Sequence, residues 1–98
     1  MFGLIGKIET APGQRTALIE ILLEGTKSMP GCLSYIIAED SAESNDIWIT
    51  EVWESEEKHK ASLSLPAVQS AIARGKPLIV GFAEQFRTKP IGGYGLPG

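Results

Sequence analysis

Cysteine and histidine are scarce in this sequence, which contains one residue of each type. The single cysteine, Cys32, excludes an internal disulfide, and small secreted domains usually carry several cysteines. One histidine and one cysteine that lie far apart in the chain do not form a metal site. We therefore expect a protein from a reducing compartment that binds no metal ion.

The chain also lacks a basic cluster and a long apolar run. Nine Lys and Arg residues stand against twelve Asp and Glu residues, and Arg74 and Lys76 are nearly isolated. This balance makes nucleic acid a poor candidate partner. No apolar run approaches the roughly 20 residues that span a bilayer, and no cationic leader precedes the first apolar stretch. We expect a cytoplasmic protein that does not bind membranes.

The length and composition are those of one small globular domain. The chain has 98 residues, of which 43% are hydrophobic and 21% charged, and it contains no repeat or linker. We expect a single domain over residues 1–98 with a Gly- and Pro-rich tail at 89–98. A domain of this size buries roughly 60–70% of the surface of its unfolded chain, so a second copy would add useful apolar burial.

Apolar periodicity predicts alternating strands and helices. Strands are predicted at 2–9, 33–40, 47–53 and 80–88, and helices at 13–27, 55–65 and 66–75. The order is that of the split βαβ, or ferredoxin-like, arrangement. The predicted fold is therefore α+β, a βαββαβ domain with a four-stranded antiparallel sheet and helices on one face.

Several residues suggest where these elements begin and how they face. Pro12 suits the first turn of a helix, because its missing N–H needs no partner there. Ser55 is suited to cap the second helical segment. In the last strand, strict alternation places Val80, Phe82 and Phe86 on one face.

The third predicted strand is apolar on both faces. Its two faces carry Ile47, Ile49 and Trp53 on one side, and Trp48 and Val52 on the other. A strand of this kind is covered on both sides. The predicted helices suffice for one side, so a second copy of the chain is the simplest cover for the other. We therefore expect a homodimer.

Four short motifs resemble the antibiotic biosynthesis monooxygenase superfamily. They are the turn Met29-Pro30-Gly31-Cys32 before a Tyr-bearing strand, the junction Glu51–Glu57 of the form E-x-W, His59 with Ser62-Leu63 and Pro66-x-Val68, and Lys76-Pro77-Leu78-Ile79. The resemblance covers nearly the whole chain and implies a dimeric α+β barrel without cofactors. It also implies a pocket between the sheet and the helices of each subunit.

Members of this superfamily include cofactor-free oxygenases of polycyclic aromatic phenols, quinol oxygenases, a sugar-phosphate isomerase, haem-degrading enzymes and many proteins of unknown activity. The haem-degrading branch needs an Asn on the first strand and a Trp in the second helix, and this chain has neither. Many members carry a histidine at the position of Ser62, whereas the histidine here is His59. The resemblance thus favours the other branches and leaves the role of His59 open.

The candidate site residues follow from their chemistry and from the resemblance. Histidine is the side chain whose ordinary pKa lies closest to neutrality, so His59 is a candidate general base or donor. Glu51 is an acid within an apolar strand, which suggests a second catalytic group or an ion pair with Arg87 or Lys7. Candidate substrate-binding residues are Trp53, Trp48, Tyr35 and Phe82, all of which could instead be ordinary core residues.

Three functions remain open at this stage. The first is a cofactor-independent monooxygenase acting on a phenol, a quinol or a similar small aromatic molecule, with His59 as the base. The second is an isomerase of a small hydroxyketone or sugar phosphate. The third is a dimeric module that binds a small hydrophobic molecule without catalysis. The fold alone does not decide between them.

Overall fold

The elements follow the order that the sequence predicts. The computed structural model describes residues 1–97, in which β1 spans Phe2–Thr10, α1 Arg15–Gly25, β2 Cys32–Glu39, β3 Asp46–Trp53, α2 Glu56–Ser62, α3 Pro66–Gly75 and β4 Ile79–Thr88. A short 3₁₀ turn at Lys76–Leu78 joins α3 to β4. The predicted βαββαβ arrangement is confirmed, with the second helical segment divided into α2 and α3.

The four strands form one antiparallel sheet in the order β2-β3-β1-β4. β2 and β3 form an antiparallel hairpin, with Tyr35 opposite Glu51. In the pairing of β1 with β3, Phe2 lies opposite Trp53. Because side chains alternate along a strand, Phe2, Tyr35, Glu51 and Trp53 all project from the same face of the sheet.

The helices cover this face, which carries the core. Ile8, Leu18, Ile47 and Ile49 form a buried cluster between the sheet and α1. Full burial of each such side chain contributes about 1.5–3 kcal/mol. Trp53 is 1% exposed at the other end of the same face. The alternating apolar side chains of β3 therefore form the main surface against which the helices pack.

The helix starts agree with the sequence at two of three positions. The Ser55 hydroxyl accepts a hydrogen bond from the Lys58 N–H at 3.2 Å, which caps α2 as predicted. Pro66 occupies the first turn of α3. The prediction for α1 was wrong, because Pro12 and Gly13 form a turn and the helix begins at Arg15. Gly13 has a φ of 77°, in the left-handed region, which a right-handed helix does not contain.

Close contact between α1 and α3 depends on two small residues. A Cβ atom added at Gly25 would lie 2.5 Å from the Cβ of Ala71, so a larger residue at Gly25 would force the helices apart. Gly25 and Ala71 are both buried. This approach fixes the position of α3 above the sheet and so defines the space between them.

The predicted orientation of β4 was wrong. The pairing of β1 with β4 is irregular between Lys7 and Ile8, which breaks the alternation of side chains. Phe86 lies opposite Ile5, whereas Phe82 lies opposite Ile8 on the helix-covered face. Phe82 and Phe86 therefore point to opposite faces of the sheet.

The second face of the sheet, here called the open face, is not covered by any element within residues 1–97. It carries Ile5, Ile36, Trp48, Val52 and Phe86, of which Ile36 and Phe86 are 55% and 50% exposed. This placement confirms that β3 is apolar on both faces. The dimer itself stays a prediction.

A polar cluster also lies on the open face. The Trp48 indole N–H donates to Asp40 Oδ2 at 2.8 Å, and Lys7 Nζ lies 3.3 Å from Asp46 Oδ2. In the tail, Ile91 and Tyr94 are exposed and no helix occurs over 89–97, while residue 98 lies outside the described part of the chain. None of the helices in residues 1–97 is long and apolar enough to cross a membrane.

Candidate functional site

A small cavity of about 170 Å³ lies between the sheet and the helices. One end is formed by Glu51, Trp53 and His59, which come from β3 and α2. The other lining residues are mostly apolar: Leu22, Thr26, Met29, Tyr35, Ser62, Leu63, Val68, Ala71 and Ile72. The cavity thus combines one polar end with an apolar wall.

Glu51 and Trp53 are two residues apart on β3 and so share its helix-covered face. The Trp53 indole N–H donates a hydrogen bond to Glu51 Oε1 at 3.0 Å. Burial raises the pKa of Glu51, while the hydrogen bond from Trp53 and the positive charge that His59 can carry oppose this shift. Glu51 is therefore a desolvated carboxyl group with one fixed donor.

His59 lies on α2 between two aromatic rings. Its ring centroid is 5.5 Å from that of Trp53 in an edge-on arrangement and 5.6 Å from that of Phe2. Its Nε2 is 4.0 Å from Glu51 Oε1, which is too long for a hydrogen bond but within the range of an ion pair with a protonated imidazole. The two aromatic neighbours hold the imidazole beside the carboxyl group and at the wall of the cavity.

Tyr35 faces the same cavity from β2. Burial, followed by the negative charge of Glu51, raises the pKa of Tyr35 far above the ordinary value of a phenol. Its hydroxyl therefore stays protonated and can act as a hydrogen-bond donor. It is unsuited to act as a base at neutral pH.

A second cavity of about 630 Å³ adjoins the first. Phe82 lines this larger cavity, together with Ile79, Val80 and Lys76 at the start of β4 and the turn before it. Trp48 lines neither cavity, because it projects from the open face toward Asp40. The structure thus brings Glu51, Trp53, His59 and Tyr35 together, places Phe82 in the adjoining space and separates Trp48 from both.

The expected ion pair of Glu51 with Arg87 or Lys7 was wrong. Lys7 lies opposite Trp48 and therefore projects from the open face, away from Glu51. Arg87 lies on the far side of β1, where it forms a salt bridge with Glu56. The carboxyl group of Glu51 is instead engaged by Trp53 and His59.

Sequence reasoning missed two residues that contact His59, one at its ring and one at its main-chain carbonyl group. Phe2 contacts the imidazole ring, and the buried Ser62 hydroxyl donates to the His59 carbonyl oxygen at 2.6 Å. The signal for Phe2 is its register opposite Trp53, which requires knowledge of the strand pairing. The signal for Ser62 is its spacing of three residues from His59 on one helix, where side chains and carbonyl groups of successive turns meet.

Metal and thiol chemistry find little support in the described chain. Within residues 1–97, His, Cys, Asp and Glu side chains form no group of three or more that could hold a metal ion. Burial raises the pKa of the Cys32 thiol, and its sulfur donates to the Ser34 carbonyl oxygen at 3.5 Å. Cys32 is thus kept in its protonated, weakly nucleophilic form.

Comparison with models of protein families identifies the family of the chain. Residues 1–74 match the model of the antibiotic biosynthesis monooxygenase family. The chain belongs to this family. A crystal structure of a protein from Chloroflexus aurantiacus J-10-fl that bears the family name is 60% identical, covers 98% of each chain and superposes with a TM-score of 0.95. No curated protein matches the chain.

Two solved structures of lower identity agree with the architecture. PA3566 from Pseudomonas aeruginosa is 19% identical over 93% of this chain and 94% of its own, with a TM-score of 0.80. Rv0793 from Mycobacterium tuberculosis is 22% identical over 95% of this chain and 97% of its own, with a TM-score of 0.77. At these identities the likeness concerns the fold alone. Family membership supports a monooxygenase-like function in general terms and leaves the substrate class to be argued from the site.

Proposed function

We propose that this protein is a cofactor-independent monooxygenase that oxidises a phenol or quinol ring held in the small cavity. The observation that carries the proposal is the placement of His59 and Glu51 at one end of a mostly apolar space of about 170 Å³. An engineered apolar cavity of about 150 Å³ in another protein holds one benzene ring. The small cavity therefore has room for one aromatic ring, whose hydroxyl group would meet the imidazole.

The first step is the removal of the phenolic proton by His59. A free phenol has a pKa near 10, as the tyrosine side chain does, so little phenolate exists at neutral pH. The ionised Glu51 carboxylate, 4.0 Å from Nε2, stabilises the imidazolium that forms. Trp53 and Phe2 keep the imidazole in this position.

The phenolate then reduces molecular oxygen. One electron passes to O₂, and the resulting superoxide and phenoxyl radical combine at a ring carbon to form a C–O bond. The imidazolium of His59 returns its proton to the peroxide. The O–O bond then breaks as the ring C–H proton leaves, which forms a carbonyl group and water. Each phenol thus consumes one O₂ and yields one quinone and one water, in a cavity whose apolar wall limits access of bulk water.

The charge of the lining disfavours the isomerase. A sugar phosphate needs cationic groups around its phosphate. Of the residues that line the two cavities, Lys76 is the only lysine or arginine, and it lies in the larger cavity away from His59. A neutral aromatic substrate fits this lining better. The non-catalytic binding module shares the same cavity and is separated from the enzyme by the experiment below.

We also propose that the protein works as a homodimer joined through the open faces of two sheets. Ile36 and Phe86 are half exposed there, beside Trp48 and Val52, and such a contiguous apolar surface on a small domain marks an interaction site. A stable interface of this kind buries more than about 1,000 Å².

Isotope labelling tests the oxygenase directly. The purified protein is incubated with hydroquinone or a dihydroxynaphthalene under ¹⁸O₂, and the product is analysed by mass spectrometry. We expect one ¹⁸O atom in each quinone product and one O₂ consumed per molecule of substrate. If the phenols and quinols bind but none of them causes oxygen uptake above background, the proposed oxygenase activity would be overturned. The non-catalytic binding module would then be favoured.

A further inference from the structure

We propose that the substrate ring carries an extended apolar substituent, and that this substituent occupies the larger cavity while the ring lies beside His59. This inference rests on the proposed function, because it takes the small cavity as the place of the reacting ring. It narrows the substrate class to a phenol or quinol with an alkyl or alkenyl chain attached.

The two cavities adjoin each other and share part of their lining. Four residues line both of them: Leu22, Tyr35, Ala71 and Ile72. They come from α1, β2 and α3, so the sheet lies on one side of the junction and two helices lie on the other. A molecule whose ring contacts His59 can therefore extend along these four residues into the larger cavity.

The sizes of the two parts differ in a way that suits such a substrate. The small cavity of about 170 Å³ fits a single ring, whereas the larger one has about 630 Å³. Sites for small organic ligands usually have about 300–1,000 Å³. A ring without a substituent would leave most of the available space unused.

The larger cavity is chemically suited to an apolar group. Its lining is mostly aliphatic and aromatic, with Tyr35 and Lys76 as the two polar side chains: Ile8, Leu18, Leu22, Tyr35, Ile49, Ala71, Ile72, Gly75, Lys76, Ile79, Val80, Gly81 and Phe82. At its rim, Val80 and Phe82 are 67% and 60% exposed, so the fold itself does not bury them. An apolar substituent would cover these side chains and remove their surface from water.

Binding of a homologous series tests the inference without requiring turnover. The probes are 4-alkylphenols from methyl to heptyl, and calorimetry under argon gives the Kd in the absence of oxygen. Burial of each methylene contributes about 0.8 kcal/mol, which corresponds to about a fourfold lower Kd at 1.36 kcal/mol per tenfold. We expect the Kd to fall by about this factor for each added methylene until the larger cavity is filled.

Two variants locate the alkyl chain. Ile72→Trp narrows the junction, and Leu23→Trp is its matched control, because Ile72 and Leu23 are 52% and 54% exposed but Leu23 lines neither cavity. We expect Ile72→Trp to abolish the dependence of the Kd on chain length while 4-methylphenol still binds, and Leu23→Trp to retain it. Val80→Arg, at the exposed rim, tests the same cavity without a change near the core and is expected to weaken heptylphenol by about tenfold or more.

The outcomes separate this inference from the proposed function. The inference would be overturned if the wild type binds every 4-alkylphenol with the same Kd. It would also be overturned if Ile72→Trp and Leu23→Trp lose the dependence of the Kd on chain length to the same extent, even if hydroquinone is oxidised. If the Kd still depends on the length of the alkyl chain but no 2-alkylhydroquinone causes oxygen uptake, the result would support the location of the alkyl chain in the larger cavity. It would overturn the proposed oxygenase function. Thermal unfolding of each variant shows that the compared proteins are folded.

Discussion

The indole N–H of Trp53 donates to the carboxylate of Glu51 at 3.0 Å, although the two residues are only two positions apart on one strand. Both side chains project from the helix-covered face of β3, where Trp53 is almost fully buried. The buried carboxyl group therefore has its donor within its own strand, and the oxygen that accepts from Trp53, Oε1, is also the one that lies 4.0 Å from His59 Nε2. This relationship turns an acid in an apolar strand into a positioned partner for the imidazole.

Trp53→Phe should show how much this hydrogen bond contributes to the stability of the protein. The change keeps an aromatic ring in the core but removes the donor to Glu51. Loss of a partner by a buried polar group costs about 1–3 kcal/mol, and the smaller ring adds a cavity penalty. We expect the free energy of unfolding, measured with urea at pH 7, to fall by about 2–4 kcal/mol. A loss below 0.5 kcal/mol would contradict the assigned role of the indole N–H.

Glu51→Gln should change the pH dependence of stability. Burial raises the pKa of Glu51 above its ordinary value of 4.5, so its contribution to stability is fully present below pH 4.5 and is lost as the pH rises through the raised pKa. Glutamine does not titrate. The free energy of unfolding of Glu51→Gln minus that of the wild type should therefore increase from pH 4 to pH 7. Urea titrations at each pH give this difference, and the other carboxyl groups cancel because both proteins contain them.

The sequence predicts the fold well because its signals are local. The alternation of Ile47, Ile49 and Trp53 marks a strand and its buried face, and Ser55 marks the start of a helix. Where local rules fail, a long-range feature decides. The irregular pairing of β1 with β4 separates Phe82 from Phe86, and Gly81 is the residue within β4 that could have indicated it.

The candidate site shows the same difference between local signals, which the sequence contains, and long-range features, which it does not. Its chemical residues, Glu51 and His59, can be chosen from the sequence because an acid in an apolar strand and a single histidine are conspicuous. Their partners depend on strand register, which places Phe2 opposite Trp53 and puts Lys7 on the other face from Glu51. The two adjoining cavities depend on how α1 and α3 pack over the sheet, and sequence patterns contain no measure of that space.

Asp40→Asn should destabilise the protein at neutral pH but not in strong acid. Backbone N–H groups of Glu43 and Ala42, followed by the Trp48 indole, lower the pKa of Asp40 from 3.8 to about 2. The ionised carboxylate therefore contributes stability above pH 3.8, and this contribution is lost as the pH falls toward 2. Thermal unfolding should show a lower Tm for the variant at pH 7 and a much smaller difference near pH 2. A constant difference at both pH values would contradict the assigned charge.

Ile36→Asp should convert the proposed dimer into a monomer. Ile36 is 55% exposed on the open face, where a dimer would bury it, and an unpaired charge buried in an apolar interface is unfavourable by several kcal/mol. We expect light scattering at micromolar concentration to give twice the chain mass for the wild type and the chain mass for the variant. Leu23→Asp is the control, because Leu23 is 54% exposed on α1, away from the sheet. A monomeric wild type would overturn the dimer.

His59→Ala should lower the turnover of a quinol such as dihydroxynaphthalene by about 10²–10⁴-fold, the usual loss when a general base is removed. The matched control is Lys60→Ala, a change at the neighbouring exposed position of α2 that lines neither cavity. Oxygen uptake by the wild type and both variants from pH 5 to pH 9 gives the comparison. Free imidazole should partly restore activity to His59→Ala, because it can enter the vacated space beside Glu51 and accept the phenolic proton.

A structural role for His59 would give a different result. The variant would then lose stability, and added imidazole would not restore its turnover. If His59→Ala oxidises the quinol within a few-fold of the wild-type rate at every pH, the imidazole is not the base. Glu51 would then be the residue in contact with the substrate, because it is the other ionisable group beside His59 in the small cavity and its raised pKa makes it a stronger base than an exposed carboxylate. Glu51→Gln should in that case abolish oxygen uptake while Lys60→Ala leaves it unchanged.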